Sequence, residues 1–388
     1  MTTGEVHDLL VVGAGPVGCR VAAEVARAGY DVVILEQKST LDDSICCTGL
    51  ISDECLSRFG IEKKLILNSF GAATVFSPAG NTISVRRDLP QAYALSRPAL
   101  DQWFYQTAVT HGARGIFGRR VTDVLPSTGG VTAVLARGRH TENIKARAVV
   151  LAAGFGSELL NSFGLKRARD WAMGVQAEAE TTDGRDVEIY IGRTYAPGFF
   201  AWMVPTTSGR AHIGLMSHRR TKAYFGAFLA RLQKDGKVKE NTPPAFRGIT
   251  LAPPSRTYSE RMLIVGDLAG HVKPITGGGV YYGLLCADIA ARHMVVALRR
   301  DDFSARKLSA YEREWRVLLG RELKLGRRAR RAFGLIRDRE LEFLFRIAKR
   351  RALAERMARQ DDIGFDWHGA AIGRAWRFLN PFYLKESE

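Results

Sequence analysis

Apolar residues change their period twice within the first 36 positions. A short apolar run from Asp8 to Val12 ends in glycines, a stretch from Pro16 to about Ala28 stops at Gly29, and a second run spans Asp31 to Leu35. Short apolar runs bounded by glycine predict buried strands, and a Pro-started, Gly-stopped stretch between them predicts a helix. The opening is therefore a βαβ unit. From about Phe70 to Ala94, short apolar pieces broken by Pro78, Gly80 and Asn81 predict hairpins. Leu95 to Gly112 predicts a helix, and Arg114 to Val150 predicts hairpins closing in the buried run AVVLAAG. Residues 171–255 alternate and are rich in Pro and Gly, which predicts an antiparallel sheet. MLIVGD at 262–267 predicts another buried strand, followed by a long apolar helix that begins at glycines.

The first turn carries Gly13, Gly15 and Gly18 in the order GAGPVG, between strand and helix. In that context the glycines allow a tight turn, close approach of backbone to a pyrophosphate, and close helix packing, while the helix N-terminus favours negative charge. Glu36 ends the second strand, placed to bind ribose hydroxyls and to repel a 2′-phosphate. FAD or NAD is expected rather than NADP. The later segment VGDLAGHVKPITGGGVYYG decides for FAD: Asp267 leaves a buried strand where it can bind a polyol hydroxyl, and Gly277, Gly278 and Gly279 open a helix whose N-terminus can hold negative charge on a reduced isoalloxazine.

The expected fold class is α/β: a Rossmann-type FAD-binding domain (1–66, 97–168 and 256–305) interleaved with an antiparallel-sheet substrate domain (67–96 and 169–255), plus a basic C-terminal helical region (306–388). At 388 residues and 46% hydrophobic, the chain has material for such cores. Lys and Arg outnumber Asp and Glu by 57 to 40, a net charge of +17 that favours acidic partners. More than half of it sits in 319–360, which has 14 basic residues against 5 acidic ones and a dense apolar set including Phe333, Leu335, Leu341, Phe343 and Phe345. Such a segment needs a partner, either the protein body or a lipid surface. Nothing interleaves stacking aromatics with the basic residues in a nucleic-acid module, so no nucleic-acid partner is expected. The five cysteines read as thiols, the N-terminus has no secretory pattern, and no run of about 18 apolar residues occurs. The expectation is a cytoplasmic protein, with peripheral contact at the inner face of the membrane left open. Zinc spacings, a P-loop and a Gly-x-Ser-x-Gly elbow are all lacking, and no metal site is expected.

GAGPVG, Arg97 with Asp101 in RPALD, AAGFGS at 152–157 and the Asp267 loop together resemble the flavoproteins related to para-hydroxybenzoate hydroxylase. Within that group, the loop ICCTGLIS, the motif FFAWMVP followed by AHIGL, and the glycine triplet are similar to the geranylgeranyl reductase family. The resemblance implies FAD, held by the positions above and Arg97, and a reaction that saturates isoprenoid double bonds in a geranylgeranyl-type lipid. An isolated alkene needs a hydride at one carbon and a proton at the other. By resemblance the proton passes through a loop cysteine, Cys47 first and Cys46 as the alternative, while Cys19 and Cys286 on apolar helices read as inert. Phe200, Trp202 and Pro205, with Phe199 and Met203, would line the prenyl channel, and Lys273 with His271 would offset charge on the ring or bind a headgroup phosphate. NAD(P)H or reduced ferredoxin is the expected electron donor. The sequence departs from the wider group at Ala153-Gly154, where the monooxygenases have Asp-Gly, and from the reductase motif at Phe200 and Val204. The competing readings are a flavin monooxygenase or halogenase, and a basic membrane- or nucleic-acid-binding flavoprotein without catalysis.

Overall fold

The computed structural model describes residues 5–41, 46–138, 140–182, 184, 186–350 and 365–367. The strand Val6–Val12 lies between Val32–Leu35 and His140–Leu151, parallel to both, with Met262–Ile264 beyond the second and Arg114–Ile116 beyond the first. Leu9, Leu10, Val11, Val33, Ile34 and Val150 have no exposed surface, as a parallel sheet covered on both faces requires. One face is covered by helices α1 (Pro16–Arg27), α3 (Arg97–Thr110) and later α5 (Val280–Arg300), and the other by the hairpin Arg120–Ser127/Gly130–Arg137. A short α2 (Asp53–Arg58) follows the cysteine loop, with Ser52 as its N-cap.

The glycine turn is as tight as the spacing predicts. A Cβ on Gly18 would stand 2.0 Å from the Gly13 carbonyl oxygen, so α1 approaches the turn more closely than any side chain permits. A Cβ on Gly15 would meet no atom within 4 Å among the described residues. That opening faces the cleft described below.

The second sheet runs in the order Val238–Asn241, Trp171–Thr181, Arg210–Ser217, Phe200–Pro205, Val187–Ile191, Ala72–Phe76, Thr82–Arg86, and Ala245–Thr250 also pairs with Trp171–Thr181. It is antiparallel except where Val187–Ile191 meets Ala72–Phe76 in parallel, joining strands more than a hundred residues apart. Leu50–Ser52, Ala92–Leu95 and Ile66–Phe70 form a small third sheet. Within 171–255, where only sheet was expected, Thr221–Lys234 forms α4. Its buried Thr221, Phe225, Phe228 and Leu232 recur every three or four residues, a helical period hidden among alternating neighbours.

The basic C-terminal segment forms α6 (Ala305–Leu335) and α7 (Asp338–Arg350), and both pack on the body. Leu308, Tyr311, Trp315, Leu319, Leu323 and Gly326 make one buried stripe along α6. Arg330, buried on the same stripe, grips both carboxylate oxygens of Asp170 at 2.8 and 2.7 Å. Arg193 donates to the last carbonyls of α6 at Gly334, Leu335 and Ile336. On α7, Leu341 and Phe345 face inward while Phe343 is 56% exposed, and at the end of α6 Leu335 is 78% exposed. Residues 351–360 of the predicted basic segment lie outside the described residues. The helix α5 is long and apolar enough to cross a membrane by composition, but 67% of its apolar window is buried inside the protein.

Candidate functional site

The carboxyl ends of Val6–Val12, His140–Leu151 and Met262–Ile264 open onto a cleft between the two large sheets. Gly15 and Gly18 at the start of α1, Asp267, and the glycine triplet before α5 all line it. On the far side of the glycine turn, Gly13 and Glu36 line a second cavity. Glu36 accepts from the backbone N–H of Ala14 at 2.8 Å and of Lys38 at 3.0 Å, which fixes its carboxylate at the end of its strand. The two cavities flank one turn, as the two ends of an extended dinucleotide would require.

At the inner end, Asp267 sits in a short 3-10 turn, Gly266–Ala269, immediately after its strand. A Cβ on Gly279 would come within 2.7 Å of the Asp267 carboxylate, and one on Gly278 within 2.9 Å of the Lys273 side chain. The triplet is bare because two side chains lie across it. Arg247 reaches the same point, donating to Asp267 at 3.2 Å. Nothing in the motif pattern singles out Arg247 or Gln176, because each is one residue of a strand in another part of the chain.

The cysteines are adjacent in sequence and unlike in surroundings. Arg97, at the start of α3, is buried, donates to Asp101 at 2.7 Å, and hydrogen-bonds the Cys47 side chain. Burial works against its charge, but Cys47 and Asp101 outweigh that and raise the pKa of the guanidinium. Among the described residues, Cys46 has no such side-chain hydrogen bond. Burial and the neighbouring Cys47 push its thiol up to about 11, against smaller opposing effects of Arg247 and a backbone hydrogen bond from Gln176. Cys19 and Cys286 are fully buried, and desolvation pushes both thiols well up.

These residues fit a flavin dinucleotide. The missing side chain of Gly15 leaves the N-terminus of α1 open to the cleft, and the buried Nε of Arg97 has no hydrogen-bond partner among the described residues. An anionic or carbonyl-rich ligand would satisfy both. Among the described residues, the one cluster that could hold a metal ion is Glu5, His7 and Asp31, and Asp31 there is already paired with His7 at 2.7 Å and Arg114 at 2.8 Å.

Next to the cleft is a second, apolar cavity. Phe200, Trp202 and Val204, alternate residues of one strand, form one wall, and Phe70, Val187 and Ile189 contribute others. Alternation sends the intervening residues the opposite way. Met203 and Phe199 are therefore core, 1% and 2% exposed, and not channel. Pro205 ends the strand in a buried position away from the cavity. Thr48, Leu50, Trp202 and Lys273 line both spaces, so the apolar cavity opens onto the inner end of the cleft beside the cysteine loop.

His271 does not join the site. Its ring is fully buried against Trp315, 4.8 Å between centroids, and its Nδ1 faces the Gly266 amide at 3.3 Å. Burial, aided by Arg316, pulls its pKa from 6.5 down to about 3, so it is neutral and cannot offset charge on a ligand. The folded chain refuses a proton that the unfolded chain accepts near 6.5, so stability is lost as pH falls below that value. Urea unfolding should show a loss of about 2 kcal/mol at pH 5 from this group alone. His271→Gln should flatten that slope, and an unchanged slope would assign the acid sensitivity elsewhere.

A parallel sheet with this glycine turn, facing an antiparallel sheet across a cleft closed by a second glycine-rich loop, defines an FAD-dependent oxidoreductase. Over residues 8–360 the chain matches the family described as lycopene cyclase protein. It is 31% identical to digeranylgeranylglycerophospholipid reductase 2 of Methanopyrus kandleri, over 91% of each chain. It is 29% identical to the enzyme of the same name from Methanothermobacter thermautotrophicus, over 88% of this chain and 91% of that one. The fold is shared with the solved structure of a geranylgeranyl bacteriochlorophyll reductase-like protein from Thermoplasma acidophilum, with a TM-score of 0.86, 24% identity and 98% of each chain covered. The chain belongs to the geranylgeranyl reductase family of FAD-dependent oxidoreductases.

Proposed function

We propose that this enzyme saturates carbon–carbon double bonds in the isoprenoid chains of a geranylgeranyl-type lipid such as a digeranylgeranylglycerophospholipid. The observation that carries the reading is the apolar cavity walled by Phe200, Trp202 and Val204, which opens onto the cleft beside Cys47 and Arg97. Relatives named for that reaction support it. FAD, held by Gly13, Gly15, Gly18, Glu36, Arg97, Asp267 and the triplet 277–279, supplies hydride when reduced. The cavity walls exclude water and hold the prenyl chain by its methyl and methylene surface. Cys47 Sγ gives the proton to the second alkene carbon, and the guanidinium of Arg97 meets the thiolate left behind with a charge-assisted hydrogen bond. Cys46, held up at about 11 by burial and by Cys47 against the smaller effect of Arg247, is the poorer donor.

Only one dinucleotide fingerprint occurs in the sequence, so NAD(P)H would visit transiently or reduced ferredoxin would deliver electrons to the basic surface. Anaerobic incubation of the dithionite-reduced protein with digeranylgeranylglycerophospholipid tests the function. Mass spectrometry should show stepwise gain of hydrogen pairs, and a lipid left unchanged by a flavin-loaded, reducible enzyme would overturn the substrate assignment.

We also propose peripheral membrane contact through the α6/α7 corner. Leu335 and Phe343 are exposed there, flanked by the exposed Arg331, Arg339 and Arg346. Cations beside exposed apolar side chains suit an anionic lipid surface. Leu335→Asp with Phe343→Asp should leave folding and flavin intact and reduce co-sedimentation with anionic vesicles several-fold. Undiminished sedimentation would remove this corner from consideration.

A further inference from the structure

Residues 365–367, Phe-Asp-Trp, come from the C-terminal region yet enter the site. Asp366 lines the cofactor cleft, and Phe365 lines the apolar cavity. The Asp366 carboxylate accepts from Lys273 Nζ at 2.7 Å and from the Ser52 hydroxyl, and its backbone carbonyl accepts from Tyr282 at 2.9 Å. Side-chain exposure is 1% for Asp366 and 6% for Lys273. The Lys273 ammonium also lies 4.5 Å from the centre of the Phe365 ring. Trp367 fastens the tripeptide by donating to Glu54 at 3.0 Å and packing against Tyr281 and Tyr282. The segment is thus tied to the starts of both α2 and α5.

A buried ion pair is a costly way to hold a chain together, since an apolar pair of the same volume does as well. Its place is informative, because Lys273 lines both the cofactor cleft and the apolar cavity. We propose that Asp366 is a positioning residue of the site, acting through Lys273 to balance the positive charge at the inner end of the cleft. Adding electrons to a flavin adds negative charge, so the net charge of this pair sets how readily the bound cofactor is reduced. The proposal rests on the cleft holding FAD.

The test is the midpoint potential of the bound flavin in the full-length holoenzyme. Asp366→Asn leaves the ammonium unbalanced and should shift the potential upward. Lys273→Met leaves the carboxylate unbalanced and should shift it downward. Trp367→Ala, at a partly exposed position, loosens Asp366 without removing either charge, and should shift it upward by less than Asp366→Asn. Flavin absorbance and melting temperature, recorded in parallel, separate these shifts from misfolding. Where a buried variant fails to fold, Trp367→Ala decides. Shifts of opposite sign for the two charge variants support the proposal. Unmoved potentials, or shifts of one sign in step with lost stability, reduce the pair to a structural tie and overturn it. Wild-type protein that never holds flavin would refute the cofactor reading itself, a distinct outcome.

Discussion

Cys47→Ser is expected to retain FAD and to lose about a hundred- to ten-thousand-fold in turnover, the usual worth of a positioned proton donor. Serine preserves the size of the side chain and its hydrogen bond to Arg97, but a hydroxyl surrenders its proton far less readily than a thiol. The proton is indispensable, because an isolated alkene has no carbonyl to absorb charge when hydride arrives. Cys46→Ser should keep most of the activity: that thiol is held up at about 11 by burial and by Cys47, which outweigh the opposing charge of Arg247, and the guanidinium hydrogen bond from Arg97 goes to Cys47. The check is single-turnover reduction of the lipid by each pre-reduced variant. Full activity in Cys47→Ser would sink the assignment, and loss confined to Cys46→Ser would transfer the role by one residue.

Gly18→Ala is expected to yield protein without flavin, destabilised by about 1–3 kcal/mol, the range for overpacking a close contact. Its Cβ would stand 2.0 Å from the Gly13 carbonyl oxygen and 3.2 Å from the Ala152 side chain. Neither can retreat, because Gly13 N–H is bonded to Leu35 and Ala152 N–H to Val12. The helix would have to withdraw from the turn, and its N-terminus with it. Gly15→Ala is the control: its Cβ meets no atom within 4 Å among the described residues, so folding should be unaffected and any loss confined to FAD affinity. Flavin absorbance after gel filtration and chemical denaturation measure both. If Gly18→Ala retained stoichiometric FAD, the turn would not be the pyrophosphate cradle.

The legible parts of this protein were those whose meaning lies within about 20 residues. Strand, glycine turn, helix and Glu36 are one local unit, and Asp267 with Gly277–Gly279 is another. The strand Phe200–Pro205 was half legible. Its motif resembles the family's, but only the packed sheet shows that successive side chains face opposite ways, which sends Phe199 and Met203 into the core. His271 misled for a related reason: a histidine beside a glycine-rich loop resembles a charge carrier, and only its burial against Trp315 shows it to be neutral. In the basic C-terminal segment, composition demanded a partner, and packing supplied the body for Leu319, Leu323 and Leu341 while leaving Leu335 and Phe343 outside.

By itself, then, the sequence determined the nucleotide-binding unit and the interleaving of two sheets, because period and glycine spacing act locally and leave their marks in order along the chain, while the chemistry of a reductase rested on the resemblance of its motifs to a known family. Tertiary structure alone decided which cysteine meets Arg97, that Arg247 reaches Asp267, and that Asp366 pairs with Lys273 across 93 positions. Those contacts join segments whose separation carries no periodic signal, and burial and charge balance are properties of the surroundings that only the packed fold creates.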